Sequence, residues 1–199
     1  MNTSHWLLII FWIVYYAIHS ILASTAVKHF FRKKLGKYFR YYRFGYTIFA
    51  TITLIFLLIF QYSYSSPLLI KSVLLKYFSI LFLVMPGMII MLISIKKYFL
   101  LLSGVKSLFA PTPASELKIN GIHRFIRHPL YSGTILFVIG LFFLFPTLNN
   151  LIAVVLLILY VLIGIGFEEK KLLKEFGRSY REYMSHVPKL IPYFKNKIR

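Results

Sequence analysis

Residues 127–170 read RHPLYSGTILFVIGLFFLFPTLNNLIAVVLLILYVLIGIGFEEK, and this stretch decides the fold. From Pro129 to Phe167 it contains no Lys, Arg, Asp or Glu. Pro129 suits the first turn of a helix, and a short polar interruption, Pro146-Thr147-Leu148-Asn149-Asn150, separates two apolar runs. Apolar runs of about 20 residues are typical of membrane-crossing helices. We therefore predict an antiparallel helical hairpin that begins and ends at the same membrane face.

Three further apolar runs precede this hairpin in the chain. They extend over about 6–27, 44–62 and 74–95. No basic stretch precedes the first run, as it would in a secretory signal peptide, and Pro86 in the third run is expected to kink its helix. Together with the hairpin helices, at about 129–145 and 151–167, the sequence predicts five spans.

The overall composition also favours a membrane protein. Of the 199 residues, 59% are hydrophobic, whereas about 45–50% is usual in soluble domains. The net charge is +19, but the basic residues lie between the apolar runs, which argues against nucleic-acid binding and for anionic lipid headgroups as partners. The chain has no cysteine, which excludes disulfides, thiolate metal sites and cysteine nucleophiles.

The loops are alternately rich and poor in Lys and Arg. The counts are none before the first span, seven in 28–43, two in 63–76, six in 96–128, none in 146–150 and nine from residue 168 onwards. The positive-inside rule then places the N-terminus outside and the C-terminus in the cytoplasm. We expect a single all-α integral membrane domain over 1–199, with five transmembrane helices and a C-terminal cytoplasmic helix, in a bacterial-type cytoplasmic (inner) membrane.

The acidic residues are concentrated in one place. All five are glutamates, and Glu168 and Glu169 directly follow the last apolar run. The hairpin should bring this pair beside Arg127 and His128. In the simpler alternative, the basic residues only flank a span and the glutamates only begin a solvated helix. A glutamate pair in an anionic interface is unfavourable without partners, which favours a functional site.

The residues at this boundary resemble a known family. Gly121 followed by Arg127-His128-Pro129-Leu130-Tyr131-Ser132-Gly133 is similar to the RHPxYxG motif of the isoprenylcysteine carboxyl methyltransferase and phospholipid methyltransferase superfamily. The similarity covers about 117–194 and continues through Glu168-Glu169, Leu172 or Leu173, Phe176-Gly177, Tyr180, Tyr183, Val187-Pro188 and Ile191-Pro192. The part nearer the N-terminus resembles bacterial members close to the methanethiol S-methyltransferase branch. The residues that carry this resemblance are His19-Ser20, Lys28, Tyr42-Arg43 and Tyr46.

This resemblance implies S-adenosylmethionine as the cofactor and implies no metal. The expected cofactor-binding residues are Gly121, His123, Arg127, His128, Pro129, Tyr131, Glu168 and Glu169. For catalysis we expect His128, Arg127 and Glu169. Arg127 suits the cofactor carboxylate, one glutamate suits its ammonium or ribose hydroxyls, and His128 is the candidate base for an amine acceptor. His123 stands where the family often has Tyr, and it either stacks on the cofactor or faces headgroups.

The expected function is methyl transfer from a cofactor that enters from the cytoplasm to a small or lipophilic acceptor. The acceptor is left open between a thiol, a carboxylate and a lipid amine. The alternatives are an accessory or assembly protein without activity, a small transporter, and an inactive family member. A transporter should carry charge within a span or paired broken helices, and only the third run is visibly broken. An inactive member would more readily have lost the motif residues.

Four other segments carry weaker predictions. His19 either faces an acceptor pocket or is hydrogen-bonded within the bundle. Gly164-Ile165-Gly166 is interpreted as a site of close helix packing. The stretch 28–43 is interpreted as a loop that binds lipid headgroups, and 110–115 as an irregular loop that covers the cofactor site.

Overall fold

The computed structural model describes residues 2–102, 117 and 119–192, and over 97–102 it describes the backbone alone. The expected cover over 110–115 lies outside these residues. The described chain is built of helices and their connections, with one isolated β-bridge between Leu68 and Thr147. The all-helical prediction is therefore confirmed for this part of the chain.

The helices follow the predicted apolar runs closely. In chain order they are α1 (Thr3–Ala23), α2 (Thr25–Leu35), a 3₁₀ turn (Gly36–Tyr41), α3 (Tyr42–Tyr62), α4 (Val73–Ser79), a π-helical turn (Ile80–Val84), α5 (Met85–Leu102), a second 3₁₀ turn (Gly121–Arg124), α6 (Pro129–Leu144) and α7 (Leu148–His186). The stretch 28–43 was expected to be a loop, and it is mostly helical. Ser24 begins α2 because its hydroxyl accepts from the Val27 N–H, and Gly36 ends it at φ 48°.

Four helical runs in the described residues are long and apolar enough to cross a membrane. They are Thr3–Ala23, Thr25–Tyr62, Val73–Lys96 and Leu148–His186. The fifth predicted span, α6, has 16 residues and extends over about 24 Å, whereas the hydrocarbon core of a bilayer is about 30 Å thick. The protein is an integral membrane protein, while the count of five spans and their orientation stay predictions.

A kink is expected at Pro86, and the structure has a π-helical turn just before this residue. Proline lacks an N–H and cannot continue the regular α-helical ladder. The turn Ile80–Val84 lies just before it, and the Met85 N–H donates to the Ile80 carbonyl, five residues back. The longer hydrogen bond carries the chain past the proline into α5.

The last predicted span and the predicted C-terminal helix form one helix. The 39 residues of α7 continue through Glu168 and Glu169, because neither glycine nor proline occurs between Phe167 and Phe176. The helical geometry is interrupted at Gly177, with φ 55° and ψ −121°. Glycine alone adopts such a conformation without strain, so a change of helix direction is possible there.

The chain divides into two compact units. Unit 1 contains Met1–Lys71, Tyr98–Pro113 and Phe145–Leu156. Unit 2 contains Ser72–Lys97, Ala114–Leu144 and Leu157–Arg199. The motif residues from Gly121 onwards, together with both glutamates, lie in unit 2.

A buried polar network holds unit 1 together. The Trp12 indole N–H donates to the Gln61 side-chain oxygen at 3.1 Å, and the Gln61 amide donates to the Asn150 side-chain oxygen at 2.8 Å. The Asn149 amide donates to the Gln61 carbonyl at 2.9 Å. These residues link α1, α3 and the start of α7 without any charge. Most polar atoms of this network have a partner, as buried polar groups require, whereas the buried Asn149 Oδ1 atom has none among the described residues.

Three glycines bring the backbones of unit 2 into contact. A Cβ atom added to Gly133 on α6 would lie 2.9 Å from the Gly87 carbonyl oxygen, and one added to Gly87 would lie 2.6 Å from the Phe137 nitrogen. At Gly140 an added Cβ would lie 2.7 Å from a methyl carbon of Val84. Small residues therefore set the distance between α6 and the helical segment formed by the π-helical turn and α5, as is common in membrane proteins.

The close packing predicted at Gly164 and Gly166 is wrong. A Cβ atom added at either position would meet nothing within 4 Å among the described residues. The added methyl groups would therefore lie in open space beside α7. Two glycines with one residue between them allow another helix to approach closely. Whether a helix does so depends on which part of the chain packs there.

We predict that Gly87→Ala destabilises the protein, because its new methyl group would overlap the backbone of α6. Overpacking of this kind costs about 1–3 kcal/mol. The apparent melting temperature in detergent should fall, and thermal unfolding followed by circular dichroism would measure it. Gly164→Ala is the matched control and should unfold at the wild-type temperature or higher, since alanine favours a helix. Equal melting temperatures for wild type and Gly87→Ala would contradict the close contact.

Candidate functional site

The site begins at a glycine whose backbone excludes other residues. Gly121 has φ 68° and opens the 3₁₀ turn before α6. Ile126, with 4% of its surface exposed, then anchors the chain, and the buried Pro129 begins α6. Arg127 and His128 are held between these two buried residues. The local sequence therefore fixes where their side chains start.

Arg127 is engaged by groups of the protein itself. Its Nη2 and Nε atoms lie 2.8 and 3.0 Å from Glu169 Oε1, and both side chains are only 8% exposed. Its Nη1 atom donates to the carbonyls of Met184 at 2.9 Å and Val187 at 2.6 Å. One guanidinium thus connects the start of α6, the middle of α7 and the end of α7.

The backbone after α7 is held against the same turn. We call residues 187–190 the C-terminal strap. The Arg127 N–H donates to the Pro188 carbonyl at 2.9 Å, and the His128 N–H donates to the Lys189 carbonyl at 3.2 Å. The Ser132 hydroxyl donates to the Leu190 carbonyl at 2.7 Å. The motif at the start of α6 and the strap that contains Val187-Pro188 are far apart in sequence, and these hydrogen bonds join them.

His128 lies between the two glutamates. Its side chain is 4% exposed, its Nε2 atom is 3.2 Å from Glu169 Oε1, and its Nδ1 atom is 3.8 Å from Glu168 Oε2. The Tyr131 hydroxyl hydrogen-bonds to Glu168, and the Tyr131 and His128 rings are 5.7 Å apart. The hairpin has thus brought basic, imidazole, phenol and carboxylate groups together at the predicted boundary.

The two neighbouring glutamates have different surroundings. Glu169 is buried beyond the apolar part of α7 and also lies 3.1 Å from the Lys189 ammonium. Burial raises the pKa of Glu169, but hydrogen bonds from Lys189, Arg127 and His128 outweigh it and hold the pKa below its usual range. The Glu168 side chain is 44% exposed. Glu169 is therefore an internal counter-ion, whereas Glu168 presents its carboxylate outwards.

Two tyrosines on α7 complete the surroundings of the cluster. Tyr180 is 1% exposed, and its hydroxyl has no hydrogen-bond partner among the described residues. The Tyr183 hydroxyl donates to the His123 carbonyl at 2.6 Å. The His123 ring nitrogen Nδ1 lies 3.2 Å from the Arg127 carbonyl, so this ring is tied to the motif backbone. Neither of its two predicted roles is tested by these contacts.

The predicted site residues therefore fall into two groups. Arg127, His128, Tyr131, Glu168 and Glu169 form one cluster. Gly121, His123 and Pro129 shape the turn that leads into it. The sequence prediction missed Lys189 and Ser132, because an exposed lysine and a serine in an apolar helix carry no distinctive signal. In unit 1, His19 is hydrogen-bonded to the Tyr46 hydroxyl, with Nε2 at 2.9 Å.

Comparison of the sequence with known proteins shows the family of this chain. The phospholipid methyltransferase family model matches residues 75–179, which include the motif on α6 and both glutamates. The methanethiol S-methyltransferase of Crocosphaera subtropica is 33% identical over 84 residues, covering 41% of this chain and 31% of the relative. The methanethiol S-methyltransferase of Pseudomonas deceptionensis is 30% identical over 112 residues, covering 53% and 41%.

A third relative, methanethiol S-methyltransferase 1 of Bradyrhizobium diazoefficiens, is 35% identical over 74 residues, covering 36% of this chain and 25% of the relative. The chain thus spans less than half the length of each of these three relatives. No solved structure matches it. Because the family model covers more than half of the 199 residues and contains the whole charged cluster, the chain belongs to the phospholipid methyltransferase family.

Proposed function

We propose that this protein is an S-adenosylmethionine-dependent membrane methyltransferase that acts on a small or lipophilic acceptor. The observation that carries the proposal is the cluster of His128, Tyr131 and Glu168 beside the Arg127–Glu169 pair, at the end of two apolar helices. The family and the names of the relatives support methyl transfer as the reaction class. An accessory protein would have no need for an outward-facing carboxylate held by a tyrosine.

A small thiol is the first acceptor to test. The three relatives are named methanethiol S-methyltransferase, and their similarity to this chain covers 36–53% of it. A carboxylate and a lipid amine belong in the same screen, because the residues of the cluster are assigned to cofactor binding and do not define the acceptor. S-adenosylmethionine, when bound, supplies an electrophilic methyl group on a sulfonium.

The described side chains fit the polar end of such a cofactor. Its ammonium requires a carboxylate, and Glu168 offers one that is 44% exposed and oriented by the Tyr131 hydroxyl. A buried hydroxyl that lacks a partner, that of Tyr180, provides a further polar atom close to the cluster. Buried hydroxyls usually have a partner, so this atom is suited to a ligand or an ordered water.

Arg127 is better suited to positioning other groups than to holding the cofactor. Its contacts to Glu169, Met184 and Val187 use four of the five guanidinium N–H groups. A bidentate contact to the cofactor carboxylate would require release of the buried Glu169. Lys189, whose side chain is 47% exposed, is the more accessible cation for that carboxylate. Direct contact between Arg127 and the cofactor stays a prediction from the family resemblance.

His128 is placed to hold or accept a proton. When the proton is on Nε2 and is donated to Glu169, Nδ1 is the nitrogen that can accept a proton from a substrate. An amine acceptor would need this step, whereas a thiolate would be nucleophilic already. In-line displacement then depends on alignment. The contacts of the ring to both glutamates fix the orientation of His128.

We further propose that the cluster faces the cytoplasm, with the N-terminus outside and all five apolar helical runs crossing the membrane. The alternation of basic and neutral loops supports this orientation. A bacterial-type inner membrane would accommodate it. The short helix α6 must cross for the C-terminal part of α7 to lie on the same side as the basic stretch 28–43.

Glu168→Gln should weaken binding of S-adenosylhomocysteine by roughly tenfold or more, because a charge-assisted hydrogen bond to the ammonium is lost. Titration calorimetry of the detergent-purified protein would measure it. Glu182→Gln removes an exposed carboxylate elsewhere on α7 and should bind like wild type. Absence of binding by folded wild type would remove the enzyme proposal and favour an accessory protein.

Arg127→Met should lower the free energy of unfolding by about 3 kcal/mol, because the buried Glu169 and two carbonyls lose their partner. The melting temperature and the rate of proteolysis at the C-terminal strap would both report the loss. Arg178→Met, which removes an exposed arginine of α7, is the control and should change neither. If Arg127 instead contacts the cofactor directly, the variant would show weaker cofactor binding with unchanged unfolding.

Single cysteines would test the orientation, since the wild-type chain contains none. In intact cells, a membrane-impermeant maleimide should label Ser65→Cys, whereas Lys34→Cys and Lys174→Cys should be labelled only after lysis. Lys174 reports on α6, because the end of α7 would lie outside if α6 did not cross. Labelling of Lys174→Cys in intact cells would therefore contradict five spans, and the cysteine-free wild type gives the background.

A further inference from the structure

Unit 1 contains a cavity that no residue of the His128–Glu168 cluster lines. It has a volume of about 270 Å³ and lies between α1 and α3. Phe11 and Phe60 line one end of it, while His19, Leu22 and Tyr46 line the other. The walls are almost entirely apolar. The cavity opens towards the outer surface of the two helices, where Phe56 and Ile18 are 68% and 40% exposed. We call this cavity the α1–α3 groove.

The length of the groove matches one leaflet of a bilayer. From Phe11 to Leu22, α1 rises by eleven residues, or about 16 Å. The hydrocarbon core of a bilayer is about 30 Å thick, so each leaflet contributes about 15 Å. An apolar chain from one leaflet would therefore fill the groove along its length.

The polar end of the groove is built from hydrogen-bonded side chains. Tyr46 hydrogen-bonds to the ring of His19, and both residues line the groove. The Tyr42 hydroxyl donates to the Leu22 carbonyl at 2.8 Å. These contacts hold the last turn of α1 against the first turn of α3. The groove therefore has a defined closed end and an apolar body.

A cationic segment is connected to this polar end. The Tyr42 ring contacts Phe31 at a centroid distance of 5.0 Å and stacks on Phe39 at 5.5 Å. The Arg32 guanidinium lies 5.0 Å from the Phe39 ring. Arg32 is thus linked through the Phe39 ring to Tyr42, whose hydroxyl binds the Leu22 carbonyl. We call Thr25–Tyr41, which comprises α2 and the first 3₁₀ turn, the basic segment.

The positive charge of the basic segment has no acidic residue of unit 1 to balance it, so its counter-ion comes from outside unit 1. The first acidic residue of the sequence is Glu116, and none of the residues assigned to unit 1 is Asp or Glu. Arg32, Lys33, Lys34 and Lys37 are all exposed. Cations clustered next to a membrane surface attract the phosphates of anionic lipids. The same segment carries the exposed aromatic rings of Phe30 and Tyr38, which suit the headgroup region.

We propose that unit 1 binds one anionic phospholipid, with an acyl chain in the α1–α3 groove and its phosphate at the basic segment. The contacts from Arg32 through Phe39 to Tyr42 place the basic segment next to the polar end of the groove, as a lipid headgroup lies next to the end of its acyl chain. A zwitterionic lipid would fill the groove equally well but would be attracted less by the cations. The site shares no residue with the His128–Glu168 cluster, so the two sites are tested by separate substitutions.

The headgroup half of the proposal is tested by native mass spectrometry of the full chain in a neutral detergent. Phosphatidylglycerol should form a saturable one-to-one adduct, roughly tenfold tighter or more than phosphatidylcholine with identical acyl chains. The triple variant Arg32→Gln/Lys33→Gln/Lys34→Gln should lose that preference. Lys170→Gln/Lys171→Gln/Lys174→Gln removes the same charge from α7 and should keep it. Equal binding of the two lipids by wild type, or equal loss in both triple variants, would overturn the headgroup assignment.

The acyl-chain half is tested by filling the groove. Ala50→Phe places a ring in the groove and should weaken both lipids, whereas Ile52→Phe, on a part of α3 that does not line the groove, should not. Thr53→Leu is a milder filling variant in case Ala50→Phe does not fold. Wild-type affinity in a folded groove-filling variant would overturn the acyl-chain assignment. Cofactor binding, measured in the same samples, should be unaffected by every one of these substitutions.

Discussion

The ion pair between Arg127 and Glu169 is the interaction on which the charged site depends. Both side chains are 8% exposed, and desolvating two charges is favourable only when nearly all their hydrogen-bonding groups are satisfied. That condition is met because the remaining arginine donors bind carbonyls at the end of α7 and Lys189 binds the second carboxylate oxygen. Loss of one partner would therefore affect the hairpin boundary, the C-terminal strap and the orientation of His128 together.

Adjacent positions on a helix point about 100° apart, and this explains why Glu168 and Glu169 differ. When one is turned towards the strap, the next necessarily faces another direction. The buried carboxylate is surrounded by cations, which leaves the exposed one in contact with Tyr131 and close to the His128 ring. An exposed carboxylate is suited to bind the cationic group of a ligand, and the buried ion pair beside it holds this part of α7 in place.

The two units solve the problem of polar groups in an apolar chain differently. Unit 2 pairs its buried Glu169 with Arg127 and Lys189 at the boundary, and its helices meet through Gly87, Gly133 and Gly140. Unit 1 has no carboxylate, and its side chains Trp12, Gln61 and Asn150 are joined in a neutral, buried hydrogen-bonded network. Its cations Arg32, Lys33, Lys34 and Lys37 are exposed, as the proposed binding of a lipid phosphate requires. The difference follows from the position of five glutamates.

The sequence by itself determined the helical membrane class, the hairpin, and the meeting of Arg127 and His128 with the glutamate pair. Those features depend on the length of apolar runs and on a short turn, both of which are local. Only the tertiary structure decided that Glu169 is buried and Glu168 exposed, and that Arg127 binds the end of α7. It also decided that α6 packs closely through Gly133, whereas a Cβ atom added to Gly164 or Gly166 would meet nothing described. These outcomes depend on which helix faces which, and that is set by partners distant in sequence.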